Sequence, residues 1–418
     1  MFYRVVGCCL VLVAACQSAC DLSHATVLPA EVRSEAHETG EGIVELTARV
    51  AGPSWREATE LPRLRVFLDD QYRQDILMVP AGEVFTYRCM VGWVEQGNHS
   101  LRLEQHGCDD IEVESVTLKT YPSSDTAYGV VAHSPFLYLR PDSVAKCSDI
   151  PLLMWHELEP RRDGTRIRYT VLFSNEDGGT PAPALMARWG RTTDIEWVYV
   201  VEIDEQGNAT SARYQGAGHG SPRFDGTKLR NHPLLGVCTT NNMVAPATEG
   251  EVRVGLYPLN TLPADEPREA MMDLNPWTFR IMAEELHREG KIEDVPSAST
   301  IGVSDPRNYL YCDLDCRRLG PREAVVEVAL KNGETFRSDH GMSVGVTSRH
   351  GFRRAAVELP PATSASSISH VHALIVTGSP LQRSQPGTTS DYVTLKRCFL
   401  LEPNWNPQRP IEPQNVLP

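Results

Sequence analysis

The sequence lacks an excess of positive charge and lacks the short signatures that mark common catalytic folds. Lysine and arginine number 40 against 54 aspartates and glutamates, a formal net charge of −14 over 418 residues. The acidic residues are spread along the chain rather than gathered in a tail. A nucleic-acid binder needs a basic footprint, as does a protein held on anionic lipid by basic patches, so both readings are excluded. No nucleophile elbow, phosphate loop, dinucleotide fingerprint or zinc-protease helix occurs. The apolar run near the N-terminus is about a dozen residues, too short to span a bilayer as a mature helix.

What the chain does carry begins with that run. Residues 1–20, MFYRVVGCCLVLVAACQSAC, add one positive charge at Arg4 and read as an export signal within a leader of residues 1–25. Two endings fit it. The stretch Leu12-Val13-Ala14-Ala15-Cys16 resembles the lipobox of bacterial lipoproteins, in which the cysteine is lipidated and becomes the new N-terminus. Ordinary cleavage after Ser23-His24-Ala25 is the other. The expectation is a protein outside the cytoplasm, either an outer-membrane or cell-surface lipoprotein or a periplasmic or secreted one. A membrane is then reached only through a lipid anchor. Residues 26–41 are acidic and aperiodic and read as a tether.

Proline and glycine number 30 each, and the apolar runs are short and rich in Val, Thr, Tyr and Phe, so the fold class is mainly β. Val44, Leu46, Ala48 and Val50 alternate with polar residues, as in a sheet with one wet face. Residues 42–120 are expected to form an immunoglobulin-like β-sandwich, 121–305 a central β-rich domain, and 306–403 a C-terminal β-sandwich with jelly-roll character. Residues 404–418 form a proline-rich tail. One helix interrupts the β pattern, with Asn275 as N-cap, Pro276 at its first position and Gly290 as its stop. Glu284, Glu285, His287 and Arg288 would face water and the opposite side would cover a sheet. In an oxidising compartment cysteines pair. The expected disulfides are Cys89–Cys108, Cys147–Cys238, and Cys398 with Cys312 or Cys316.

The central domain holds the densest polar chemistry. Residues 166–173 and 194–203 read as two strong strands, and strict alternation puts Asp194 and Glu196 on one face with Ile195, Trp197 and Tyr199 on the other. Between the strands, Ser174-Asn175-Glu176-Asp177-Gly178-Gly179 is an oxygen-rich turn. It does not match the twelve-residue calcium loop, and a plain turn explains it as well. Glu176, Asp177, Asp194 and Glu196 are therefore candidate ligands of a hard cation such as calcium. His219, between glycines in GAGHGS, can reach a neighbouring site from its loop, and Asn241 lies near the end of a later strand. Asp194, Glu196 and His219 are the candidate catalytic set. Asp177, Asp194, Glu196, Trp197, His219 and Asn241 form the candidate binding set.

An early LYL strand, a strand IRYTVLF, the strand TDIEWVYVVEID and a later HPLLGV strand, within residues 134–244, loosely resemble the Vps62-like family of β-rich proteins. Those proteins commonly carry Asp-Trp-Glu ahead of an apolar strand, where this chain has Asp194-Ile195-Glu196-Trp197 and lacks a His-rich glycine turn. The resemblance implies a β architecture and a polar site at Asp194 and Glu196, and no reaction. Two functions stand at this point. One is an exported, surface-attached binding or structural protein with a polar ligand or cation site, its partner a carbohydrate or a protein. The other is a hydrolase acting on an envelope or extracellular polymer. Convergence of Asp194, Glu196 and His219 in one cleft would favour the hydrolase.

Overall fold

A computed structural model describes residues 20–26, 30–51, 54–79, 82–107, 111–176, 178–294, 300–317, 322–342, 344–347, 350–377 and 393–411. The chain is mainly β, arranged in several small sheets with few helices. Most of the leader, including Cys16, and the end of the proline-rich tail lie outside the described residues, as do Cys108 and Asp177. No helix among the described residues is long and apolar enough to cross a membrane.

The N-terminal unit packs two four-stranded antiparallel sheets face to face. One contains Gly40–Val50 between Ile111–Tyr121 and Phe85–Val94, with Cys20–Thr26 at its edge. The other runs Ala30–Ala36, Gly97–His106, Arg63–Leu68, Gln71–Leu77. Alternate residues meet between them, with Val44, Leu46, Leu64, Val66, Leu101, Leu103 and Val113 fully buried. Ala30–Ala36 corrects the tether. Ala30, Val32 and Ala36 point inward against a partner strand, a period-two pattern masked by the charges at Glu31, Arg33 and Glu35.

The central domain is built on a five-stranded sheet in the order Ala209–Tyr214, Asp194–Ile203, Gly164–Phe173, Pro151–Arg161, Pro258–Thr261, with only the last pairing parallel. A smaller sheet around His232–Val237 and Phe136–Tyr138 faces it across one core that includes Ile167, Tyr169, Val171, Tyr199 and Leu235. The other face is covered by the helix Trp277–Arg288, whose Phe279, Met282 and Leu286 pack on Leu153, Trp155, Leu172 and Ile195. The helix therefore covers a sheet as its periodicity predicts, and Gly290 follows it with φ +65°. Its expected wet side is not wet throughout. Glu285 is 1% exposed, accepts from Ser174 Oγ at 2.7 Å and pairs with Arg288. Burial pushes its carboxyl up to about 7.

The C-terminal unit stacks two three-stranded sheets, His350–Glu358, Tyr309–Arg317, Val393–Phe399 against Thr335–Arg337, Arg322–Leu330, Ile368–Thr377. Among the described residues these six strands fall short of the eight of a jelly roll. Leu310, Leu314, Val326, Val328, Ala355 and Val357 fill the space between the sheets. Cys89, Cys147, Cys238, Cys312, Cys316 and Cys398 are all free thiols, against the expected bonding. Cys147 is buried while Cys238 is exposed and turns its thiol to Met243 O at 3.3 Å. Cys312 and Cys398 do stand opposite each other on adjacent strands, with sulfurs 3.3 Å apart.

Candidate functional site: a carboxylate cluster in the central domain

The cluster exists because one residue is added to a strand. Ile167, Tyr169, Val171 and Phe173 alternate evenly and pair with Val201, Tyr199, Glu196 and Asp194. Residues directly opposite one another share a face. The step from Tyr199 to Glu196 is odd because the register shifts between Tyr169 and Thr170, a β-bulge. Asp194 and Glu196 therefore turn inward on the same side as Tyr199 and Val201, where they are 1% and 9% exposed. Trp197, opposite Thr170, turns to the other face. The expected grouping of Trp197 with Tyr199, and Trp197's place among the binding residues of this cluster, are thus corrected. A strict period of two cannot register a bulge, and one residue of slip reverses every side chain beyond it.

Loops close the cluster. Glu176, just past the Gly164–Phe173 strand, places its carboxyl in hydrogen-bonding contact with Asp194. Burial first, and then the Asp194 charge and the shared hydrogen bond, push Glu176 up to about 8. Burial and the same Asp194 charge push Glu196 up to about 7, against the pull of Arg268 and a hydrogen bond from Gln215. Gln215 Nε2 lies 2.6 Å from Glu196 Oε2 and 2.9 Å from His219 Nδ1. His219 Nδ1 is 3.9 Å from Glu196 Oε1. The histidine sits on left-handed backbone, φ +59°, after Gly218, and its side chain is 60% exposed. It forms the open end of the cluster.

Asn242 Nδ2 donates to Asp194 Oδ2 at 3.1 Å. With its amide nitrogen turned to Glu176, Asn241 donates to Oε1 at 2.5 Å and Oε2 at 3.2 Å, leaving its oxygen to face His219 Nε2. Two buried acceptors have no donor: Gln215 Oε1 and Asn242 Oδ1. A buried amide oxygen without a partner is costly, and here two such oxygens flank three carboxyls.

Of the candidates read from the sequence, Glu176, Asp194, Glu196, His219 and Asn241 come together, Trp197 does not, and Asp177 lies outside the described residues. Sequence reasoning missed Gln215 and Arg268. Gln215 follows a strand end with nothing local to distinguish it. Arg268 comes from a remote loop, donating to Ile195 O at 2.9 Å.

Two kinds of chemistry suit this arrangement. Carboxyls that titrate near neutrality beside an imidazole can give and take protons. Alternatively, acceptor oxygens of this density can hold a hard cation, which takes oxygen ligands. Among the described residues no three His, Cys, Asp or Glu side chains form a ready-made metal cage. A cation would be held by the carboxylate oxygens, with the Gln215 and Asn242 amides, which turn their nitrogens to Glu196 and Asp194, fixing the orientation of those acids.

Neither a family model nor a curated protein matches the sequence. Solved structures give partial likenesses. A family 35 carbohydrate-binding module from Clostridium thermocellum is 14% identical over 21% of this chain and 66% of its own length, with TM-score 0.18. NLPPya in complex with glucosamine is 13% identical over 32% of this chain and 74% of its own, with TM-score 0.25. The C-terminal domain of EclA, a sugar-binding protein, is 15% identical over 26% and 83%, with TM-score 0.18. At these scores the likenesses are confined to pieces of the chain, and no argument about function is drawn from them.

Proposed function

We propose that this is a binding protein whose central domain takes a hard divalent cation, calcium being the probe of choice, and through it a hydroxyl-bearing ligand such as a carbohydrate. One observation carries the reading. Glu176 and Glu196 both lie against Asp194, leaving an acid-rich centre whose nearest arginines, Arg191 and Arg268, act on the carboxylates only through their charge. A bound cation supplies the missing positive centre and presents open coordination positions to ligand hydroxyls. Asp194 and Glu196 would ligate it, Glu176 would give up its proton on binding, and His219 with Asn241 would line the approach.

Calorimetric titration with calcium and then soluble glycans, on the wild type and on Asp194→Asn/Glu196→Gln, tests this. Binding by the wild type alone is expected, with proton release that varies with buffer. Equal binding by both proteins would reduce the carboxylates to a structural feature of the sheet.

The hydrolase is the second reading, favoured by the approach of His219 to within 3.9 Å of a Glu196 carboxyl raised to about 7. It predicts turnover of an extracellular polymer that His219→Ala and Glu196→Gln each abolish. Export, and attachment through a lipid on Cys16, belong to the same proposal and rest on the leader's sequence. Intact-mass analysis of cell-derived protein decides that part, an unlipidated N-terminus at Thr26 removing the anchor and keeping the export.

A further inference from the structure

Trp197, excluded from the carboxylate cluster by the bulge, is not buried in a core either. It lines a half-open cavity of about 610 Å³ on the opposite face of the same strand, where the central sheet meets the loop after Pro258–Thr261 and the C-terminal strand His350–Glu358. Junctions of this kind are where ligand cavities concentrate. Its chemistry is uneven in a telling way. Arg168, Arg268 and Arg353 contribute three positive charges, Glu157 and Glu266 two negative ones, and Trp197 and Phe352 two half-buried aromatic rings.

Only one of the arginines is matched. Arg168 Nη1 lies 3.7 Å from Glu157 Oε2. Arg268 donates to Ile195 O at 2.9 Å and Arg353 to Phe352 O at 2.9 Å, and neither forms an ion pair with an acid among the described residues. Burial lowers Arg268 below the usual guanidinium range, with repulsion from Arg191 and then Arg353 opposed by the charges of Glu269 and Glu196. An oxyanion between Arg268 and Arg353 would offset the repulsion between those two. Thr170 stands in the same wall behind these side chains, 1% exposed.

We propose that this cavity is a second binding site, for an acidic saccharide unit, a sugar ring bearing one carboxylate or sulfate group. Arg268 and Arg353 take the oxyanion, which suits planar, forked donors. Glu157 and Glu266 take ring hydroxyls, and Trp197 with Phe352 supply apolar faces for the ring. The two carboxylates argue against a polyanion, and the five charged side chains argue against an apolar ligand. The site shares the strand Asp194–Ile203 with the carboxylate cluster but none of the cluster's acids, and the two are linked through the charge of Arg268, which also acts on Glu196.

Titration of the full chain with methyl glucuronide, glucose 6-sulfate, methyl glucoside and sodium sulfate tests the assignment. The two acidic sugars should bind at least about tenfold more tightly than methyl glucoside, and Arg353→Gln should erase that preference, since a charged hydrogen bond contributes about that factor. Trp197→Ala should weaken every sugar and leave inorganic sulfate unchanged. Asp194→Asn/Glu196→Gln should keep the preference for the acidic sugars over methyl glucoside, because the change takes an attracting charge from Arg268 but no ligand from the cavity. Several results overturn the proposal: no binding of either acidic sugar, equal affinity for methyl glucoside, sulfate alone binding as tightly as the sugars, or an Arg353→Gln protein indistinguishable from wild type. Arg353 is partly exposed and bonds only its neighbour's carbonyl, so its replacement leaves the fold intact, which far-UV circular dichroism verifies.

Discussion

Two of the buried charge groups in this molecule are treated in opposite ways. At the junction between the helix Ala270–Asp273 and the C-terminal sheet, Arg354 is 0% exposed and forks onto two aspartates. It reaches Asp313 at 2.7 and 3.2 Å and Asp273 twice at 2.7 Å, while Arg397 closes the square from the neighbouring strand, reaching Asp313 at 2.8 Å. Two positive and two negative charges cancel with most donors and acceptors used. In the carboxylate cluster Asp194 is flanked by Glu176 and Glu196, two amide oxygens lack donors, and the arginines stand back. Burial costs both groups their hydration. The first recovers it internally and fixes how a helix meets a sheet. The second leaves it unrecovered, which is what a site for an external positive centre requires.

The comparison breaks most sharply at Arg354. Replacing it by Met removes the forked donor and strands Asp273 and Asp313 with Arg397 alone. Breaking one side of a buried ion pair costs about 3 to 5 kcal/mol. Denaturant unfolding of Arg354→Met should show a loss of that order. A loss below about 1 kcal/mol would mean that the square is slack and that its geometry holds nothing in place.

Titration sharpens the comparison with a smaller effect of definite sign. Glu176 and Glu196 bind protons more tightly in the folded state than their ordinary value of 4.5, reaching about 8 and about 7. Between those limits the folded state holds more protons than the unfolded chain, so stability falls as pH rises. Their contribution is fully present below about 4.5 and lost as pH passes through about 7 for Glu196 and about 8 for Glu176. Unfolding midpoints across this window should decline more steeply for the wild type than for Glu176→Gln/Glu196→Gln. Calcium should flatten the wild-type curve by favouring the ionised form. Parallel curves for the two proteins would show that the acids do not crowd one another in solution.

The contrast also explains which parts of the molecule can be read from its sequence. The mainly β class and the covering helix follow from periodicity, because side chains such as Val44 and Leu46 or Phe279 and Met282 report their face locally. Asp194, Glu196 and His219 stand out by residue type and loop context, and they do meet. Three features were hidden. The bulge beyond Tyr199 adds a residue that no alternation rule anticipates, and it decides on which face Trp197 works. Gln215 and Arg268 matter only through where the chain brings them. The charged square at Arg354 joins residues up to 124 positions apart, from Asp273 to Arg397, and each looks like an ordinary surface charge in its own segment. Contacts of that range are set by tertiary packing and leave no local trace.

The smallest effect on stability is also the most selective test of the cluster. Gly178 lies on the exposed turn beside Glu176, and its backbone is not in the left-handed region, so alanine is tolerated there without strain. A Cβ at this position would fall on the end of the Asn241 amide and on Glu176 Oε1, both of them ends of side chains that can swing away. Gly178→Ala should therefore change unfolding free energy by no more than about 0.5 kcal/mol, the range of an ordinary surface substitution. Yet it must displace the two groups that pair with each other above Asp194, and so weaken calcium uptake while leaving the acidic-saccharide cavity on the other face untouched. Calorimetry on this variant separates a working cluster from an incidental one. Unchanged calcium affinity, alongside the displacement of Glu176 seen in a structure of the variant, would remove Glu176 and Asn241 from the site and leave only Asp194 and Glu196 to carry it.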